Sequence, residues 1–232
     1  MIIHHPKTAL EAVMLRKSNP NTVYLAGGTD DLRLGTAAEG KELIDINGLD
    51  ESYDAITEKD GKIWIGARCT LQQVAQSELV PAFIRESAMF CASFAKRNSA
   101  TIGGNVGLRR QDSYMAAALT AAEAVLDTVT PHGEEEKAIG EYLQSDCKRF
   151  IRAIVVDKDR TGWVKRFGNT SSSHAAVIAA QSGDKYALSV SGSDFAYGTS
   201  ADLADTMTFV DDINGSAAYK KYLAKIVFTL GR

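Results

Sequence analysis

The chain has 232 residues and a mass of 25.0 kDa, one large domain or two small ones at the usual ~150 residues per domain. Hydrophobic residues make up 45% and charged residues 24%, a globular mixture that argues against a disordered or fibrous chain. The 26 basic and 29 acidic residues leave a net charge of −3, the wrong sign for a protein that lives on phosphate backbones, so nucleic acid is not the expected partner.

The N-terminus, MIIHHPKTALEAV, lacks the basic start, long apolar stretch and cleavage site of a signal peptide. The longest apolar runs, 115–119 and 175–180, fall far short of the ~20 residues of a membrane span. Cys69, Cys91 and Cys147 are scattered and form no CxxC, which suits buried thiols in a reducing cytoplasm. Three cysteines cannot supply the four thiolates of an iron–sulfur cluster. Without HExxH or a close Cys/His group, no metal site is expected.

In chain order, Thr8 with Glu11 has the pattern of a capping box, and Leu10, Val13, Met14 and Lys17 follow at helical spacing until Ser18-Asn19-Pro20. A strand over 23–26 runs into Gly27-Gly28-Thr29-Asp30, and a second strand over 42–46 ends at Asn47-Gly48. Segments 55–57 and 62–66 flank Asp60-Gly61, a hairpin turn. Thr70 with Gln73 reads as a capping box for a helix to about Gln76, and Pro81 opens a helix over 82–92. A second glycine loop covers 101–105, and an Ala-rich helix is expected over 114–125. Beyond 146 the pattern predicts a buried strand over 150–156 with 162–166 as its hairpin partner, a strand over 186–191 and an amphipathic helix over 216–230. The fold class expected is α+β: two glycine-bearing α/β subdomains over 1–54 and 55–146, then a smaller sheet-plus-helix domain over 147–232.

The two glycine pairs, in LAGGTDD (25–31) and ATIGGN (100–105), each admit two readings. Either they are tight turns that need glycine for positive φ, or their free N–H groups form concave anion sites. Facing each other, such loops could hold a pyrophosphate, with Thr29, Thr101 and Asn105 adding side-chain donors. Neither matches GxGxxG or GxxxxGK[ST].

The stretches HPKTALEAV…TVYLAGGTDDL and KRNSATIGGNV resemble the FAD-binding subunit of molybdenum hydroxylases, the group of xanthine and carbon monoxide dehydrogenases. IGARCTLQQV (65–74) resembles the segment between that family's loops, and NGSAAYKKYLAKI (214–226) its C-terminal segment. The resemblance implies FAD, bound without a covalent link, between two α/β subdomains with a third domain closing over it. It implies that Tyr24, Leu25, Ala26, Gly27, Gly28, Thr29 and Asp30 wrap the FAD diphosphate, with Thr101, Gly103, Gly104 and Asn105 as the opposing loop. Asp112 falls where the family has an acidic residue near the ribose and diphosphate; its other reading is an N-cap of the Ala-rich helix. Lys165 falls where the family's third domain offers a lysine toward the flavin; its other reading is a solvated strand lysine.

The chain departs from the pattern in three places: a shortened 105–112 loop reading GLRRQ, the stretch GNTSSSHAAV after Arg166 and Phe167, and Asn214 where arginine is common. The leading reading is an electron-transfer subunit working with an iron–sulfur and a molybdopterin partner, with NAD among the acceptors, and inactive on substrate alone. Its length leaves no room for a molybdopterin domain. A self-sufficient flavin oxidoreductase and a flavin-free structural subunit are the alternatives.

Overall fold

The first section starts with β1 (Ile3–His4) and α1 (Ala9–Ser18), and the expected cap is present: Thr8 Oγ1 accepts from the Glu11 N–H at 3.2 Å. The Glu11 carboxylate accepts from the Lys7 N–H, one residue earlier than a standard capping box. Strands β2 (Thr22–Leu25) and β3 (Glu42–Asp45) join β1 in a parallel sheet ordered β1-β3-β2. Ala9, Ala12 and Val13 of α1 pack on Ile44, Ile46 and Leu49. The same cluster takes in Val129 and Phe150, which ties the first section to the second.

This computed structural model describes the chain except for residues 1, 34, 37, 111, 146–148, 171–172, 194 and 231–232. Cys147 and the expected division at 146/147 lie outside the described residues.

The second section opens with the expected hairpin, β4 (Ile56–Lys59) and β5 (Lys62–Gly66). Asp60 and Gly61 both take positive φ (52° and 73°), as a type I′ turn requires. Helices α2 (Leu71–Gln76), α3 (Ala82–Phe90), α4 (Phe94–Arg97), α5 (Ile102–Gly107) and α6 (Tyr114–Ala121) follow. The Ala-rich helix stops at Ala121, not 125, with Glu123 in the left-handed region. The β-branched run after it forms β6 (Val125–Thr130), which pairs with β7 (Gly133–Ala138). Helix α7 (Ile139–Gln144) and strand β8 (Phe150–Asp157) complete the section.

The expected hairpin between 150–156 and 162–166 does not form. Strand β8 lies between β5 and β6 in an antiparallel sheet ordered β4-β5-β8-β6-β7. The near-continuous apolar run FIRAIVV is the reason: buried residues along β8 suit a central strand paired on both edges. We accordingly place the division between the second and third sections after β8.

The third section is an antiparallel sheet ordered β12-β11-β10-β9, from β9 (Trp163–Gly168), β10 (Ala175–Ser182), β11 (Lys185–Val190) and β12 (Ala196–Gly198). A 3-10 turn (Ala201–Asp205) leads to α8 (Ala217–Leu230). One face of this sheet packs Val177, Ala179, Leu188 and Val190 against Leu223, Ala224 and Val227 of α8. The other places Ile178, Ala180 and Ala187 in the main core with α6. All eight residues of α6 are buried, and its four alanines let one helix lie between two sheets. Among the described residues no helix is long and apolar enough to cross a membrane.

Candidate functional site: a cleft between the first and second sections

A cleft of about 230 Å³ opens where the turn after β2 meets the N-terminus of α5. Its first wall is the turn 26–31. Gly28 takes φ +63°, the left-handed conformation that glycine adopts without a Cβ penalty. The backbone N–H groups of Gly27, Gly28, Thr29 and Asp30 make no hydrogen bond to any described residue. Four backbone donors in sequence beside a cleft, none of them used within the fold, are free for an anionic ligand. Gly27 is required for a different reason: a Cβ there would lie 1.9 Å from Ser99 O, so the turn rests directly on the backbone of the second section.

The second wall is a helix where a loop was expected. Thr101 caps α5, its Oγ1 accepting from the Gly104 N–H at 3.1 Å. The N–H groups of Ile102 and Gly103 donate to Cys69 O and Ala67 O, and that of Asn105 to Thr101 O. Every backbone donor from 102 to 105 is therefore already used, so of the two readings of this glycine pair the free N–H anion site does not hold here. Gly103 has no positive φ; it is glycine because a Cβ would lie 2.6 Å from Ala67 Cβ and 2.7 Å from Ala67 O. What this wall offers a ligand is a smooth glycine surface and the Asn105 side chain.

Of the residues singled out in the sequence, Tyr24, Ala26, Gly27, Gly28, Thr29, Asp30, Thr101, Gly103, Gly104 and Asn105 line the cleft. Three do not. Leu25 turns toward the loop itself, its Cδ1 3.4 Å from where a Gly28 Cβ would stand. Asp112 takes a fork of hydrogen bonds from Arg110 at 3.0 and 2.9 Å and faces His174 Nε2 at 3.1 Å. His174, and then Arg110, hold its carboxyl far below the usual range against the effect of burial. Asp112 is not the helix cap either, since Ser113 occupies that position. The Lys165 ammonium bonds to Leu230 O and lies 5.6 Å from the Trp163 ring centre, within its own section.

Several cleft residues were not singled out in the sequence: Arg16, Lys41, Tyr142, Arg149 and Phe150. Arg16 donates to Thr22 O and sits 5.2 Å from the centre of the Tyr24 ring, while Arg149 pairs with Glu135. Arg16 is in the last turn of a helix that feeds β2, a position next to the glycine motif only in space. Arg149 and Phe150 reach the cleft through the central placement of β8, which local pattern did not reveal. Tyr24 meets Phe150 edge-on at 5.3 Å. Burial pushes its hydroxyl up to about 12, with Arg16 opposing and Tyr142 reinforcing, so it stays a neutral phenol at ordinary pH.

Residues 1–156, which span both walls of this cleft, match the family model described as the FAD binding domain in molybdopterin dehydrogenase. The chain belongs to this family. It carries the FAD-binding domain of molybdopterin dehydrogenases, and FAD is its cofactor. It is 27% identical over 241 residues to the uncharacterized protein YgfM of Escherichia coli K12, covering 96% of this chain and 91% of that one. It is 28% identical over 135 residues to the xanthine dehydrogenase FAD-binding subunit of E. coli O157:H7, covering 56% of this chain and 46% of that one. Its fold matches a chain of the reconstituted CO dehydrogenase from Oligotropha carboxidovorans with a TM-score of 0.85 at 20% identity, covering 100% of this chain and 96% of that chain.

The cleft fits the cofactor. A diphosphate needs clustered donors and a close backbone approach, and the N–H groups of 27–30 opposite the Gly103–Gly104 surface provide both.

Proposed function

We propose that this chain is the electron-transfer subunit of a multi-chain molybdenum hydroxylase, passing electrons from an iron–sulfur partner to an acceptor such as NAD. The observation that carries the reading is the run of unbonded N–H groups from Gly27 to Asp30 facing Asn105 across the cleft. FAD, when bound, supplies a two-electron redox centre that can be filled one electron at a time. The protein residues hold it in place. The donors of 27–30 take the diphosphate, the Gly103–Gly104 surface lets it lie close, and the edge-on Tyr24–Phe150 pair adds aromatic lining.

Among the described residues lining the cleft, no side chain is set up as a nucleophile or general acid, and none is needed for this role. The partners are inferred from chemistry: the three scattered cysteines of these 232 residues do not supply the four thiolates of a cluster, which supports an iron–sulfur partner. The likeness to a protein named as the FAD-binding subunit of xanthine dehydrogenase supports a molybdopterin chain as the third component. A cytoplasmic location agrees with free, buried Cys69 and Cys91.

The test is turnover by the FAD-loaded chain alone and again with its co-purified partners. The expected result is oxidation of purine- or aldehyde-type substrates by the complex and none by the single chain with any acceptor. Substrate oxidation by the metal-free single chain would replace this reading with that of an independent flavoenzyme.

A further inference from the structure

With the backbone donors of 102–105 committed, hydrogen bonding from the second wall depends chiefly on the carboxamide of Asn105. That carboxamide is held from behind. Ser113 Oγ donates to Asn105 Oδ1 at 2.8 Å, and Ser113 is itself buried.

Ser113 stands at the N-cap of α6, where a serine hydroxyl ordinarily accepts from the first turn of its own helix. Thr8, Thr70, Ser93, Thr101 and Ser200 all do so at their helices. Ser113 makes no such bond; its hydroxyl is turned to Asn105 instead.

Its neighbours fix it on both sides. The Ser113 N–H donates to Arg110 O at 3.2 Å, and Asp112 before it is gripped by Arg110 and faces His174. After it, Tyr114 O accepts from Ser87 Oγ at 2.8 Å, and Tyr114 Oη accepts from the Ala175 N–H at 3.0 Å. A hydroxyl anchored this firmly can dictate the orientation of a freely rotating amide.

We propose that Ser113 is a positioning residue for FAD. By occupying Asn105 Oδ1 it directs the Nδ2 hydrogens into the cleft, where they meet an acceptor, a phosphate or sugar oxygen of the cofactor. Without it the carboxamide can turn its oxygen toward an anionic ligand. The inference rests on the FAD reading above.

The test titrates FAD into the FAD-stripped full chain and follows flavin fluorescence, with urea unfolding of each stripped variant alongside. Ser113→Ala is expected to weaken FAD binding about five- to tenfold, the scale of one lost hydrogen bond to a charged or polar partner. Ser113→Thr, which keeps the hydroxyl, is expected to restore binding to within about twofold. Asn105→Ala weakens binding, and in that background Ser113→Ala adds nothing further, because the hydroxyl acts only through the amide.

Unchanged FAD affinity in Ser113→Ala overturns the proposal and leaves the FAD reading standing. An equal loss from Ser113→Ala with and without Asn105 also overturns it, since the serine then acts through the fold. A wild-type chain that takes up no FAD overturns the underlying reading itself.

Discussion

Replacing Gly103 by alanine tests the packing that builds the cleft. The added methyl would stand 2.6 Å from Ala67 Cβ and 2.7 Å from Ala67 O. That same oxygen accepts the Gly103 N–H at 2.8 Å, and the Ile102 N–H reaches Cys69 O at 2.9 Å beside it. The contact is with backbone, so relief requires α5 to move away from residues 67–69 and stretches both bonds. Overpacking of this kind costs about 1–3 kcal/mol, and each weakened hydrogen bond adds up to about 0.5–1.5 kcal/mol. The expected loss is about 2–6 kcal/mol from a total of about 5–15 kcal/mol. Gly107→Ala is the control, because nothing lies within 4 Å of its new Cβ; it should be neutral or stabilising by up to about 1 kcal/mol. The assay is urea unfolding of the FAD-stripped chain, followed by far-ultraviolet circular dichroism. A Gly103→Ala stability within about 0.5 kcal/mol of wild type, below the smallest term in that sum, would refute the close approach.

Lys165→Ala should leave FAD affinity unchanged within about twofold, the change expected when no bond to the ligand is lost, because its ammonium is held at Leu230 O; a large loss in the same fluorescence titration would return it to the flavin. Lys220 is fully buried and donates to Ser191 O and Val210 O while pairing with Asp212 at 2.7 Å; Lys220→Met should cost about 2–4 kcal/mol in urea unfolding. Burial opposes the charge on Asp212, but Lys220, Ser191 and the Asn214 N–H bring its carboxyl down to about 2. Its contribution is therefore complete above the unfolded value near 3.9 and is lost as pH falls toward 2. Asp212→Asn should flatten the acid limb of the stability curve, and an unchanged limb would count against the pairing. Burial pushes the Cys69 and Cys91 thiols up to about 11 and about 12, so in a Cys147→Ser chain neither should react with an aromatic disulfide reagent at pH 8 until denaturant is added.

The features legible in the sequence are those set by neighbours a few residues apart. Thr70 and Gln73 form a full capping box, Asp60-Gly61 turns a hairpin, and the AGGTD and TIGGN segments face each other. What escaped depends on distant partners. The strand β8 finds β5 and β6 rather than the next segment, because only the folded sheet has an open central slot. The run AAVIAAQS has the composition of a helix yet forms β10, since burial on both sheet faces outweighs alanine's local preference. The TIGGN segment reads as a loop from its glycines, but Thr101 caps it and α5 begins there. Of the residues carried over by resemblance, those in the two motifs converge except Leu25, while Asp112 and Lys165 are engaged elsewhere.

In the proposed function, the backbone N–H groups of 27–30 hold the diphosphate of FAD. Isothermal titration of the FAD-stripped chain with FAD, FMN and riboflavin tests it most directly. Tight one-to-one binding of FAD is expected, with weaker binding of FMN with its single phosphate and at least about a hundredfold loss for riboflavin, the scale of two charge-assisted hydrogen bonds. Riboflavin binding as tightly as FAD would contradict it.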